Sequence, residues 1–298
     1  MKTSAWPCGA LLIAAFGAAC GADSSQKGVA PEGPPQGELV AVIFDVSGHR
    51  LLKAYPHAVY QSRDSGHSWT AIPLPPLVRK GQIVALATPA RAAGTLYVGG
   101  RGFGVIRSQD EGATWRQLNR GLRSRKLEAL TTHAELAATL YGSVAGDGIY
   151  RTEDGGESWK RMDGGPGAQV GQLFHSNLGG SMKTGWLYAG TPDGVQRTMD
   201  CFCGWRPAGR LPGQSGSYGV VFDPKEPRNL YASGSGGLFR SRDGGENWEG
   251  LPSADAQTVA LAFDPAADIL YAATREGVVL GSRDQGVHWE RVGVGVGE

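Results

Sequence analysis

An eight-residue frame, Ser/Thr-x-Asp-x-Gly-x-x-Trp, returns six times along this 298-residue chain. It reads SRDSGHSW to Trp69, SQDEGATW to Trp115, TEDGGESW to Trp159, SRDGGENW to Trp248 and SRDQGVHW to Trp289, with a degenerate copy, TMDCFCGW, to Trp205. Successive tryptophans stand 46, 44, 46, 43 and 41 residues apart, a period that belongs to radial or solenoid repeats rather than to a single-core fold. Each position in the frame has a local task. The carboxylates of Asp64, Asp110, Asp154, Asp200, Asp243 and Asp284 can accept bonds from backbone N–H groups further along the turn, the Gly can take positive φ, and the Ser/Thr hydroxyl can close the base. The Trp then opens the next strand and can bury its ring between neighbouring repeats. These twelve Asp and Trp residues are therefore read as structural.

Between frames the order of segments is constant. A first apolar strand is expected at Val40–Phe44, Ile83–Ala87, Leu127–Thr131, Val170–Phe174, Gly219–Phe222 and Val259–Phe263, and a second at the Leu-Tyr pairs such as Leu96-Tyr97 and Leu187-Tyr188. A Gly-rich turn leads to a third, such as Gly104 to Ser108, and the frame leads to a fourth that begins at the Trp. Four short strands per period make a propeller blade, and six periods fill the chain from Glu38 onward. The fold class expected is all-β: a closed six-bladed propeller of four-stranded antiparallel blades over residues 38–298.

The frames resemble BNR/Asp-box repeats, the turns of sialidases, xyloglucan-active glucanases, sortilin-type receptor propellers and photosystem II assembly factors. The resemblance runs over residues 38–292 and implies the propeller. It leaves function open, because the family mixes hydrolases with proteins that only bind. It also implies that a ligand, protein or glycan, sits on the face away from the boxes.

The N-terminus reads as an export signal. Lys2 precedes an apolar run from Ala10 to Ala19 that is too short to span a bilayer. Residues 1–19 are the expected signal peptide. The small residues before Cys20 resemble a lipoprotein signal, which makes Cys20 the expected lipidation site, with soluble secretion as the alternative. Residues 20–37, rich in Gly, Pro and Ser, are expected to form a disordered tether. The whole chain carries 29 Lys+Arg against 28 Asp+Glu, and removal of Lys2 with the signal leaves the two balanced. Nothing in that balance attracts nucleic acid, and a monomeric envelope protein, anchored through Cys20 or secreted, is expected.

For ligand contact the densest feature is the run from Arg120 to Lys126, which holds Arg120, Arg123, Arg125 and Lys126 and no acid. With Arg101 it would make a basic lobe for an anionic segment or glycan. A hydrolase needs more. The resemblance to sialidases implies an early Arg-Ile-Pro element, which does not occur, and the resemblance to glucanases implies two carboxylates across a cleft. Asp147 and Asp193 are the candidates, although each sits in a Gly-rich turn that Asp forms by default. No cofactor is called for, and no metal-ligand spacing of His or Cys appears. Cys201 and Cys203 read as a reshaped turn, since thiols two residues apart bridge poorly. The expectation is a non-catalytic binding or assembly propeller, with a glycoside hydrolase as the alternative.

Overall fold

A computed structural model describes residues 25–30, 35, 37–182, 184–214, 216–252 and 258–292. Cys20 and the signal segment lie outside the described residues. The remaining chain folds as six four-stranded antiparallel sheets, each built from strands consecutive in sequence. Blade 1 comprises Ala41–Asp45, Arg50–Tyr55, Ala58–Ser62 and Thr70–Ile72. Blade 2 comprises Gln82–Ala87, Leu96–Arg101, Gly104–Ser108 and Thr114–Gln117, and blade 3 Leu127–Thr132, Leu140–Val144, Gly148–Thr152 and Lys160–Asp163. Blade 4 comprises Gln172–Ser176, Trp186–Thr191, Gly194–Met199 and Arg206–Pro207. Blade 5 comprises Ser217–Phe222, Leu230–Gly234, Gly237–Ser241 and Glu249–Leu251, and blade 6 Thr258–Asp264, Ile269–Thr274, Val279–Ser282 and Glu290–Arg291.

Blades stack face against face, so middle strands are covered on both sides and read as continuous apolar runs. Every residue of Leu140–Val144 and of Trp186–Thr191 is buried. The core therefore lies in the seams. Leu52, Ile72, Ile83, Val98, Ile106 and Trp115 join blades 1 and 2, and Leu51, Tyr55, Ala260, Ile269 and Tyr271 join blade 1 to blade 6. That last seam closes the ring by packing, with no strand borrowed across it among the described residues.

Five of the six frames make the same turn. In blade 2 the Ser108 hydroxyl donates to Asp110 Oδ1 at 2.7 Å, and the Gly112 N–H donates back to that hydroxyl at 2.8 Å. The Thr114 N–H and hydroxyl complete the ring of donors on the carboxylate, at 2.8 and 2.6 Å. Asp64, Asp154, Asp243 and Asp284 repeat the arrangement. These donors favour the ionised carboxylate. Hydrogen bonds from Ser68 hold the Asp64 carboxyl well below its usual range; burial pushes Asp154 up, but bonds from Ser158 and Thr152 outweigh it and hold it at about 2. The folded values lie below the unfolded value of about 3.9. Their stabilisation is thus complete above about pH 4 and is lost as pH falls toward about 2. Thermal melts followed by circular dichroism should show the midpoint dropping across that window, and Asp154→Asn should shrink the drop; a midpoint that stays level down to pH 2 would contradict it.

Asp200, expected to close a sixth such turn, does not. Its Oδ2 accepts from the N–H of Thr184 at 2.9 Å and from the Thr184 hydroxyl, because Phe202 stands where the other frames have Gly and holds φ at 58° with a full side chain. Cys201 and Cys203, read from sequence as a reshaped turn, are joined by a disulfide. Trp205 still packs with the core of its seam and donates Nε1–H to Asp163 at 2.7 Å.

The tether also departs from expectation. Gln26–Lys27 adds a fifth strand to the outer edge of blade 2, opposite Trp115 and Thr114, and Val29 exchanges backbone bonds with Leu74 at 2.8 and 2.9 Å. The outer strand of a blade offers unpaired N–H and C=O groups, and any extended backbone can satisfy them.

Candidate functional site

The antiparallel order places the frames and the first-to-second turns on one face, and the second-to-third turns and blade connections on the other. The axis between the faces is almost filled. First-strand residues including Ala41, Ala85, Leu130, Leu173 and Ala260 surround a space of only about 30 Å³. Any ligand therefore meets a face and does not thread the ring.

On the face away from the frames, the second-to-third turn of blade 2 and the connection into blade 3 are tied by backbone. Arg101 and Lys126 form an antiparallel bridge, and the Gly102 N–H donates to Arg125 O at 2.9 Å. Arg101, Arg125 and Lys126 are all exposed, and none of them joins an ion pair among the described residues. Arg123 leans over Asp147 at 3.6 Å with 74% of its side chain exposed. Arg120 does not belong to this shelf. Its Nε donates to Glu157 O at 3.0 Å, and Glu157 sits in the frame of blade 3, so the backbone of the connection turns that side chain the other way.

Beside the shelf lies a cleft of about 410 Å³ lined by Glu128, Ser143, Asp147 and Gln169 among others. Asp147 is held on three sides: the Tyr150 hydroxyl donates to Oδ2 at 2.5 Å, Arg161 Nε stands 3.2 Å from Oδ1, and Arg123 approaches from solvent. Asp193 is exposed and does not line the cleft. The two carboxylates expected to face each other are not brought together, because each serves its own turn. Glu128 is the acid that shares the cleft with Asp147, and it accepts from the Ser143 hydroxyl at 3.1 Å.

The frame face carries a second concavity, a bowl of about 250 Å³ walled by Phe44, Phe174, Phe222 and Phe263. At its edge, between blades 3 and 4, His133 and His175 stack at 3.8 Å, and a ring nitrogen of each lies within 4.8 Å of an Asp200 oxygen. Sequence spacing gave no hint of this group, which is drawn from three separate segments. Its hydrogen bonds define its chemistry. His133 Nδ1 accepts from the Glu135 and Leu136 N–H groups, and His175 Nδ1 from that of Ala134. A neutral ring so bonded carries its proton on Nε2. His133 Nε2 accordingly donates to the Thr184 hydroxyl at 2.7 Å, and that hydroxyl donates to Asp200. His133, Thr184 and Asp200 thus form one hydrogen-bond chain, whereas His175 Nε2 is buried without a hydrogen-bond partner among the described residues. Burial holds both imidazoles below their ordinary value, His175 down to about 3.

Sequence reasoning also missed a latch between blades. Arg107, in the third strand of blade 2, donates to Gly155 O of the next frame at 2.9 Å and pairs with Glu157 at 3.0 Å, while the Tyr97 hydroxyl donates to the same carbonyl at 3.1 Å. Tyr188 and Arg197 do likewise to Gly244 at 2.9 and 2.8 Å. The signal was present as an Arg just before the frame and a Tyr opposite it on the second strand.

The sequence matches no family model and no curated protein. Solved structures share the fold. The chain is similar to a GH74 enzyme of Niastella koreensis (TM-score 0.58, 13% identity), covering 89% of this chain and 55% of that one. It is similar to YCF48 bound to D1 peptide (TM-score 0.58, 16% identity; 90% and 84%) and to YCF48 from Cyanidioschyzon merolae (TM-score 0.57, 17% identity; 90% and 88%). The chain thus spans about half the length of the glycoside hydrolase and most of the length of YCF48; at these identities the likeness is one of fold alone.

Proposed function

We propose that this protein is a non-catalytic binding propeller that holds an acidic polypeptide segment on the shelf formed by Arg101, Arg125 and Lys126, with Arg123 at its edge. The observation that carries the reading is that backbone pairing fixes these cations together while no carboxylate neutralises Arg101, Arg125 or Lys126 among the described residues. Asp147 supports it from the other side, since a carboxylate bound by Tyr150, Arg161 and Arg123 is committed to the fold. A peptide-bound propeller of the same fold, YCF48, is a precedent for that kind of ligand.

We further propose that the chain is exported and held by a lipid on Cys20. Six residue steps separate Cys20 from Gln26, about 20 Å when extended, and Gln26 pairs with blade 2. Such an anchor would keep blade 2 close to the bilayer.

The test is fluorescence anisotropy with a labelled Asp/Glu-rich peptide. Exposed ion pairs contribute about 0.2–1 kcal/mol each, so changing Arg101, Arg125 and Lys126 to Ser should weaken binding by about threefold to a hundredfold and flatten its salt dependence. Unchanged affinity would remove the shelf. Preferential capture of acidic glycans would replace the polypeptide, and hydrolysis of a β-glucan lost on Glu128→Gln would install the glycosidase reading instead.

A further inference from the structure

The seam between blades 6 and 1 retains the acceptors of the inter-blade latch while lacking its cation. In blade 5, Arg240 lies opposite Tyr231 on one side and Glu249 on the other. Its Nε donates to Glu249 at 2.8 Å, Nη2 stands 2.7 Å from the same oxygen, and Nη1 approaches Gln285 O at 3.4 Å. Gln285 is the residue after the Asp of the next frame. In blade 6 the same register places Gly281 opposite Tyr271 and Glu290, and the residue after the Asp of the next frame is Ser65. Ser65 has φ 57°, against 61° for Gln285, 69° for Gly155 and 76° for Gly244, so the backbone takes the same left-handed turn at each of these positions.

Where the guanidinium is absent there is space. A cleft of about 360 Å³ opens at this seam, lined by Ser65, Tyr271, Gly281 and Glu290. The Tyr271 hydroxyl is buried in it beside the Ser65 side chain and makes no bond to the frame carbonyl, whereas its counterparts Tyr97 and Tyr188 both donate to that carbonyl. Glu290 is exposed and enters no ion pair among the described residues. Arg283 and Arg291 also reach the cleft, so net charge does not select a cation; the retained groups do, because in blade 5 a carboxylate and a frame carbonyl at the same register hold the fork of a guanidinium, which the point charge of an ammonium does not match.

We propose that this cleft is a guanidinium site, filled by an arginine side chain of a partner polypeptide that completes the latch from outside. It is independent of the basic shelf, which lies on the other face and takes the opposite charge.

Isothermal titration of the whole protein with a Gly/Ser peptide bearing one Arg tests it, with Lys and citrulline peptides as controls. The Arg peptide should bind at least tenfold more tightly than either control, and Glu290→Gln should weaken it several-fold. A Cβ at 281 meets only ordinary contacts, the nearest being Val292 Cγ2 at 3.4 Å, so Gly281→Arg should supply the missing guanidinium in cis, raise the melting temperature and abolish binding. Equal binding of the citrulline peptide, undiminished binding by Gly281→Arg, or no binding at all would overturn the site. Glu290→Gln, at an exposed position, keeps the test available if Gly281→Arg does not fold. Methylguanidine bound as tightly as the peptide would overturn the polypeptide as occupant and assign the cleft to small guanidino compounds.

Discussion

Trp115→Ala should cost about 3–5 kcal/mol of stability, read as a shift of the urea midpoint at constant slope. The ring is 1% exposed and fills the seam between blades 1 and 2 with Ile72, Leu86 and Ile106. Its Nε1–H donates to Pro73 O at 2.8 Å and to Gly112 O at 3.0 Å. One bond runs to the chain leaving blade 1, and the other stays inside the frame. Truncation therefore opens a cavity and leaves carbonyls without a donor. Trp69 holds the equivalent position in blade 1 but is only half-buried, and its Nε1–H bond stays within its own frame, at 3.0 Å to Gly66 O. Trp69→Ala should cost less than half as much. Equal losses at the two sites would mean that the frame, and not burial of the ring in the seam, sets the energy.

The parts of this molecule that are legible in its sequence are those whose contacts are local. The frame is local: Ser108, Asp110, Gly112 and Thr114 satisfy one another within seven residues, and so their identities alone specify the turn. Blade number follows from counting such turns, and strand positions from the apolar runs between them. What escapes is whatever depends on a neighbour one period away. Arg107 meets Gly155 across 48 residues, and His133 stacks on His175 across a seam. Asp147 looked free in its Gly-rich turn because Tyr150 and Arg161 reach it only once the strands are in register. Arg120 looked like a member of the basic run because a one-dimensional run does not show that alternate side chains leave it. The N-terminal strand was invisible for a different reason. Gln26–Lys27 has no apolar pattern of its own and is placed by the edge that receives it.

Asp45→Ala should match the loss at Trp115, about 3–5 kcal/mol, by another mechanism. Asp45 and Arg50 flank the first turn of blade 1, and their side chains are both 0% exposed with Nε 2.9 Å from Oδ2. The carboxylate also accepts from the Ser47 hydroxyl and the Gly48 N–H, each at 3.0 Å. Arg50 continues outward to Gln61 at 2.5 Å and stands 3.7 Å from Glu111 of the blade 2 frame, so it replaces in blade 1 the third-strand Arg of the other latches. Removing the acid leaves a buried guanidinium, whose Nη2 already lacks a partner, with only the half-exposed Glu111 at 3.7 Å to offset its charge among the described residues. Removing both charges is a different matter, because a long apolar side chain can take the arginine's volume with no ion left to desolvate. The double change Asp45→Ala/Arg50→Met should therefore recover more than half of the single mutant's loss, measured by the same urea midpoints. If the double mutant is as unstable as Asp45→Ala alone, the cost arises from the Ser47 and Gly48 turn bonds rather than from the orphaned charge.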